Sequence, residues 1–338
     1  MNDVPVHVGG PVRQTAPDLE RLAFQIQPVP PFRLDLTVQA LRRRTINAVD
    51  RWDGATYRRT LVVDRRPLAV EVVQVAPSER PLLQVAVSGP SLPPSTRFVA
   101  MTALTRLLGV DRCLDDFYGA AADEPRLGCL ARLFRGLKPP RFPTVFEALI
   151  NAFACQQVTL SLGIQLLNRL AATCARGRDV AGDPAYPFPT PDDLARLEPE
   201  ELRALGFSRQ KGQASIELAR AVATRRFDLD ELEGLDDAAA VARLRTLRGV
   251  GRWTAEYVLL RGLGRLHVFP GDDIGARNNL QRWLGILEPL DYAGVQRVLA
   301  RWQPFQGLVY LHLLLWGLQP EHGKPRAGVR RLGNSVLR

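Results

Sequence analysis

Lysine is nearly absent from this chain: of its 45 basic residues only Lys138, Lys211 and Lys324 are lysines, and the rest are arginine. Chemistry that needs a side-chain amine therefore has three candidates, because arginine stays protonated and cannot act as an amine nucleophile. Cysteine is scarce too. Cys113, Cys129, Cys155 and Cys174 are scattered, with no CxxC and no tight cluster. That pattern argues against a zinc site or an iron–sulfur cluster and fits a reducing, cytoplasmic compartment better than a secreted one. The four histidines (His7, His267, His312, His322) show no ligand spacing, so each is expected at the surface or in the core rather than on a metal. No apolar run approaches the length needed to span a bilayer. The opening residues, MNDVPVHVGGPVRQTAPDLERL, lack the apolar segment of a secretory signal.

What the chain does have is positive charge. A formal net charge of +10 and a pI near 10.1 point to a polyanionic partner, nucleic acid first. The plainer alternative is a compositional bias toward Arg, Ala, Leu and Pro. With 338 residues, 46% of them hydrophobic, the chain can bury a sizeable core and is long enough for two or three domains.

Residues up to about Pro31 read as a Pro-rich, flexible lead-in. From Phe32 to Gly89 the chain reads as strands: TYRRTLVVD, PLAVEVVQVA and PLLQVAVSG are rich in Val, Leu and Thr, and turn residues such as Asp53-Gly54 separate them. From about Pro94 the pattern is helical almost to the end. Thr144 and Glu147 have capping-box spacing ahead of Phe146, Leu149, Ile150 and Phe153, which recur at helical intervals. Thr190 precedes Pro191, and a helix from about Pro199 is expected to stop at Gly206. These signals predict an α+β unit over 32–115, an all-helical body over 116–320 and a basic C-terminal tail over 321–338.

The stretch LRGVGRWTAEYVLLRGLGRLHVFPGDD, Leu247 to Asp273, concentrates the unusual residues. Val241, Leu244 and Leu247 share one helical face, and RWTAEYVLLRG is helical again, so Gly249, Val250 and Gly251 lie in a short connection between two helices. Glycines there suit a positive φ or close backbone approach. The free N–H groups of the turn and of the next helix's first turn would hold an anion such as a phosphodiester; a plain helical corner explains the glycines equally well. Trp253 and Tyr257, four apart, share a face that could pack in the core or stack on a planar base. Asp272 and Asp273 follow a Pro-Gly turn at a helix start, where Asp caps well. A carboxylate so placed could also stabilise an oxocarbenium-like sugar and activate water.

Taken together, the stretch resembles the helix-hairpin-helix DNA glycosylase superfamily, and more closely the bacterial 3-methyladenine DNA glycosylase II family. RFPTVFEALINAFACQQVTLSLG, FPTPDDLARLEPEELRALGFSRQKGQ and RWQPFQGLVYLHLLLWG resemble that family's helices in order, and LRRRTINAVDRWDGATYRRTL resembles its N-terminal domain, so the likeness runs from about Phe32 to Gly317. The resemblance implies a mainly α fold with an N-terminal α+β domain, and a monomeric base excision repair enzyme without cofactor. Such an enzyme acts on double-stranded DNA containing alkylated bases, in the cytoplasm and on the bacterial nucleoid.

By position the resemblance makes Asp273 the catalytic aspartate. It puts Trp253, Tyr257, Leu314 and Asp272 around the base pocket. Gly249, Val250, Gly251, Arg252, Thr254, Gln156 and Gln157 fall on the DNA-binding set, with a monovalent cation sometimes held by hairpin carbonyls. Two positions depart from the pattern. Gln157 stands where an apolar wedge is common, and Leu314 stands in place of a pocket tryptophan, with Tyr310 and Trp316 nearby. Both bear on base preference. An electron-rich aromatic slot suits a base that already carries positive charge, and flipping costs less at a damaged pair. The rival expectations are an oxidised-purine glycosylase with lyase activity and a non-catalytic DNA-binding module.

Overall fold

The computed structural model describes residues 19–175 and 186–319; the beginning of the expected lead-in and the basic tail lie outside them. Five strands form one antiparallel sheet in the order β1-β5-β4-β3-β2: β1 (Glu20–Ile26), β2 (Arg51–Trp52), β3 (Thr56–Val63), β4 (Arg66–Gln74) and β5 (Leu83–Gly89). The last three are the Val-rich runs. A two-residue turn joins β3 to β4, with Val63 opposite Arg66. Its residues, Asp64 and Arg65, both have positive φ, the geometry that matches strand twist in a tight hairpin.

Two elements depart from the expectation. Part of the lead-in is β1, which pairs with β5 from Glu20↔Gly89 to Ile26↔Leu83. Phe24 and Ile26 alternate inward, and the surrounding prolines hide that alternation. Within the stretch read as strands, Leu34–Arg42 is a helix, α1. Leu34, Val38 and Leu41 pack on the sheet while Leu36 and Ala40 pack on the helical body. Burial on two faces outweighs the β-branched Thr37 and Val38 in its middle.

The helices that follow are α2 (Thr96–Leu108), which covers the sheet, then α3 (Asp115–Ala122), α4 (Pro125–Leu133), α5 (Val145–Cys155), α6 (Leu160–Cys174), α7 (Pro191–Ala195), α8 (Pro199–Ala204), α9 (Arg209–Ala223), α10 (Asp237–Leu244), α11 (Arg252–Arg261), α12 (Ile274–Leu284), α13 (Tyr292–Leu299) and α14 (Gln306–Leu318). Thr190 and Asp193 form a reciprocal capping box at α7. Gly206, at φ +101°, follows α8. At α5 only half of the expected box forms. The Thr144 hydroxyl accepts from the Glu147 N–H, but the Glu147 carboxylate is taken by Arg59.

The body has two cores. One gathers α5 to α11, with α5 buried on nearly all sides; the other gathers α3, α4 and α12 to α14 against α1. Helix α11 joins them, giving Val258 and Leu259 to the first and Leu260 to the second. The Leu247–Asp273 stretch therefore runs along the seam. Among the described residues no helix is long and apolar enough to cross a membrane.

Candidate active site

The connection from α10 to α11 closes with a hydrogen bond from Val250 N–H to the Leu247 carbonyl, and Val250 is buried. The two glycines serve different purposes. Gly249 has φ +79°, and a Cβ there would sit 3.1 Å from that of Ala214 and 3.5 Å from the Phe153 ring. Gly251 has an ordinary φ of −94°, and a Cβ on it would meet nothing within 4 Å. It is the N-cap of α11, and no side chain caps that helix. Its smallness therefore leaves open space in front of an uncapped helix start, where anions are favoured.

The α5–α6 loop is tied to this hairpin. The Gln156 amide donates to the Gly249 carbonyl at 2.9 Å and to the Thr254 hydroxyl at 2.8 Å. Lys211, from α9, donates to the carbonyls of Ala154 and Gln156, and burial lowers its pKa. Of the residues expected on the DNA face, Thr254 looks inward, at only 1% exposure, and Gln156 is half-buried with its amide bonded to the hairpin. Gln157 is different. It is exposed and has φ +52°, a backbone state a side chain of its size seldom takes and one that points to a functional constraint.

Asp273 is the N-cap of α12. Its Oδ1 accepts from Ala276 N–H at 2.9 Å, while Oδ2 accepts from the Tyr310 hydroxyl at 2.9 Å and from the Trp253 indole N–H at 3.4 Å. One residue therefore both caps and presents an oriented carboxylate oxygen. Burial, and then the Asp273 charge, push the Tyr310 phenol well above its ordinary range, so Tyr310 remains a donor.

Asp272 does not join this group. It turns away to Arg252, 2.7 Å from its Nε, and the Arg252 guanidinium lies over the Tyr292 ring at 3.7 Å. Tyr292 in turn donates to Glu256 at 2.6 Å, and the other Glu256 oxygen accepts from Gly271 N–H. Burial and that bond push the Tyr292 phenol up to about 12. The clasp fixes the loop that carries Asp273. Gly271 fits because a Cβ there would strike the Tyr292 ring at 2.8 Å.

Trp253 stacks on Tyr257, with ring centroids 5.4 Å apart and planes 29° apart. Tyr257 is 4% exposed and part of the core, while Trp253 is half-buried and forms its accessible outer leaf. Leu314 is half-buried one turn beyond Tyr310 on α14.

Beneath Tyr257 lies Arg43, which the sequence did not single out. It ends α1 with φ 61° and is buried. Nη1 donates to the Tyr257 hydroxyl at 3.1 Å and Nη2 to the Asn151 side-chain oxygen at 2.6 Å. Tyr310 lies one turn from Leu314 on α14, a spacing that puts both on one face. His312 belongs to the core: burial lowers its pKa to about 4, and Nδ1 sits 2.8 Å from the Leu308 carbonyl.

Comparison with known proteins follows the same geometry. Residues 150–304 match the family model described as HhH-GPD superfamily base excision DNA repair protein. The chain is 29% identical over 297 residues to DNA-3-methyladenine glycosylase 2 of Escherichia coli K12, covering 86% of this chain and 97% of the relative. It is 30% identical over 173 residues to the putative DNA-3-methyladenine glycosylase YfjP of Bacillus subtilis 168, covering 51% of this chain but only 58% of that relative's own length. Among solved structures, the 3-methyladenine DNA-glycosylase from Archaeoglobus fulgidus superposes with a TM-score of 0.74 over 87% of this chain and 98% of that one, at 24% identity. At that identity the likeness establishes the fold.

Proposed function

Because the chain belongs to the HhH-GPD superfamily of base excision DNA repair proteins, we propose that it is a monofunctional DNA glycosylase that excises alkylated bases from double-stranded DNA. The uncapped start of α11, with Gly249, Val250 and Gly251, takes a backbone phosphate without regard to sequence. Gln157 enters the space left by the flipped nucleotide. The base rests on Trp253. As the N-glycosidic bond lengthens, positive charge develops on the sugar, and Asp273 Oδ2 stabilises it and orients the attacking water. The Ala276 N–H and the Tyr310 hydroxyl hold that carboxylate in place, so little reorganisation accompanies the reaction. The observation that carries this reading is the placement of Asp273 Oδ2 between Tyr310 and Trp253, beside the bare helix start.

The stretch from Leu247 to Asp273 has no lysine, and the Lys211 amine at the neighbouring loop already donates to two carbonyls. A Schiff-base lyase step therefore lacks its nucleophile, and the product is an intact abasic site. We infer that one copy of the chain suffices and that it works on cytoplasmic, nucleoid DNA.

Release of free bases from methylated duplex is the test. Wild type should release them, and Asp273→Asn should slow release by roughly 10²–10³-fold, the scale of losing one oriented electrostatic group. DNA binding should survive, because an amide still caps α12. A modest loss from Asp273→Asn would remove that residue from the catalytic role. A borohydride-trapped protein–DNA adduct would refute the monofunctional assignment.

A further inference from the structure

Two consecutive residues of the loop before α12 are tied to one helix. Gly271 N–H donates to Glu256 Oε2 at 3.1 Å, and the Asp272 carboxylate meets Arg252 Nε at 2.7 Å. Glu256 and Arg252 are four apart on α11 and so share a face. Tyr292, from the start of α13, closes the circuit. Its hydroxyl donates to Glu256 Oε1 at 2.6 Å, and its ring lies 3.7 Å beneath the Arg252 guanidinium. The residue that follows these two anchored positions is Asp273.

Asp273 is otherwise fixed mainly to the far side of the seam. The Ala276 N–H that it accepts belongs to α12 and the Tyr310 hydroxyl to α14, both in the second core. Its direct bond to α11 is from the Trp253 indole at 3.4 Å, at the long end of hydrogen-bond geometry. Yet α11 carries the bare helix start and Trp253, the elements that the glycosylase reading gives to the DNA backbone and to the base. The distance from the carboxylate to those elements is therefore set across the seam by Glu256 and Arg252, acting through the two residues before Asp273.

Resting on that reading, we propose that Arg252 and Glu256, with Tyr292 between them, are positioning residues: they hold the Asp273 carboxylate in register with the phosphate grip and the base, and so act on the chemical step rather than on affinity for DNA. Arg252 is the sharper case. Its place at the first position of α11 suits a phosphate contact, but its Nε is committed to Asp272 and its guanidinium plane to Tyr292. A misplacement of about 1 Å at reacting groups can slow a reaction by about 10²-fold, so a clasp that touches no substrate can still govern the rate.

Single-turnover base release from methylated duplex, beside titrations of undamaged duplex over a range of salt, separates the roles. Glu256→Ala should slow release by roughly 10–10²-fold and Arg252→Met by roughly tenfold, with affinity for undamaged duplex within about twofold of wild type. The slope of log affinity against log salt should not change in either, whereas losing a phosphate contact lowers its magnitude by about one. Tyr292→Phe keeps the ring beneath Arg252 and removes only the hydroxyl bond, so it reports even if Glu256→Ala does not fold; release should slow by about threefold, the scale of one modest hydrogen bond. Because the clasp acts through Asp273, adding Glu256→Ala to Asp273→Asn should slow release by no more than about a further twofold. A lower salt slope for Arg252→Met would make that residue a phosphate contact. Wild-type release per folded molecule in all three variants, or an undiminished effect of Glu256→Ala in the Asp273→Asn background, would make the clasp purely architectural. Each of these results overturns the proposal. Failure of the wild type to release any base would overturn the glycosylase reading itself, and the proposal with it, a separable result.

Discussion

Arg59 and Arg43 both reach from the sheet-bearing part of the chain onto one face of α5, and their partners lie one turn apart. Arg59 meets Glu147 with two hydrogen bonds, at 2.6 and 2.7 Å, and Asp50 with a third at 2.7 Å. Tyr57 completes that cluster through Asp50. Arg43 meets Asn151, whose own side-chain N–H donates back to the Glu147 carbonyl. The first arginine meets two carboxylates directly, and the second has neutral hydrogen-bond partners, Tyr257 and Asn151. A buried ion pair fixes how two pieces of protein dock, even though the Arg59 Nε–H has no partner among the described residues. Elements that look alike in burial thus divide into an ion-paired clamp and a support hydrogen-bonded to Tyr257.

The comparison can be broken from the clamp side. Arg59→Met leaves Asp50 and Glu147 buried without their cation, so the folded state should lose about 3–5 kcal/mol, read by urea unfolding. Base release from methylated duplex, per folded molecule, should stay near wild type. A matching loss of release would mean that the clamp also positions the site.

A smaller effect concerns pH. Two buried carboxylates share Arg59, and burial pushes the Glu147 carboxyl up to about 7 despite its partner. The folded protein then holds that proton more tightly than the unfolded chain does. Stability from this group is full below the ordinary carboxyl range and falls as pH rises through about 7, by at most about 1.4 kcal/mol per pH unit. Glu147→Gln should flatten the slope between pH 5 and 7; an unchanged slope would assign it to another group.

The smallest effects sharpen the same contrast inside the hairpin. Gly251→Ala should leave stability within about 0.5 kcal/mol of wild type, since its Cβ meets no protein atom, yet weaken damaged and undamaged DNA alike. Gly249→Ala should cost about 1 kcal/mol or more, because its positive φ is strained for alanine. Thermal melts with duplex titrations separate the two, and a loss confined to damaged DNA would show that Gly251 does not face the backbone.

The hairpin, Trp253, Tyr257 and Asp273 were legible because their geometry is local. Glycine torsions, a four-residue aromatic spacing and a helix cap are all written in short windows of sequence. Arg43 was not legible, because it lies 214 positions from the tyrosine it serves and sits in a segment of several arginines with no periodic cue. Glu147 was read as a capping residue, a sound local inference, until a strand 88 positions away claimed its carboxylate. The inward turn of Thr254 likewise depends on Gln156 from another helix. β1 and α1 were missed for a related reason. Proline-rich flanks and β-branched residues set the local preference, whereas burial on a sheet edge and between two cores decided the outcome.

The Gln156 bridge makes the α5–α6 loop and the glycine hairpin a caliper with a set gap. One jaw carries Gln157 and the other carries the bare start of α11, and Lys211 locks the hinge by holding the end of α5. On the proposed glycosylase reading, that spacing is set by hydrogen bonds within the protein before any duplex arrives. A duplex bound there would be the partner that deforms, and a weakened base pair would yield at the least cost.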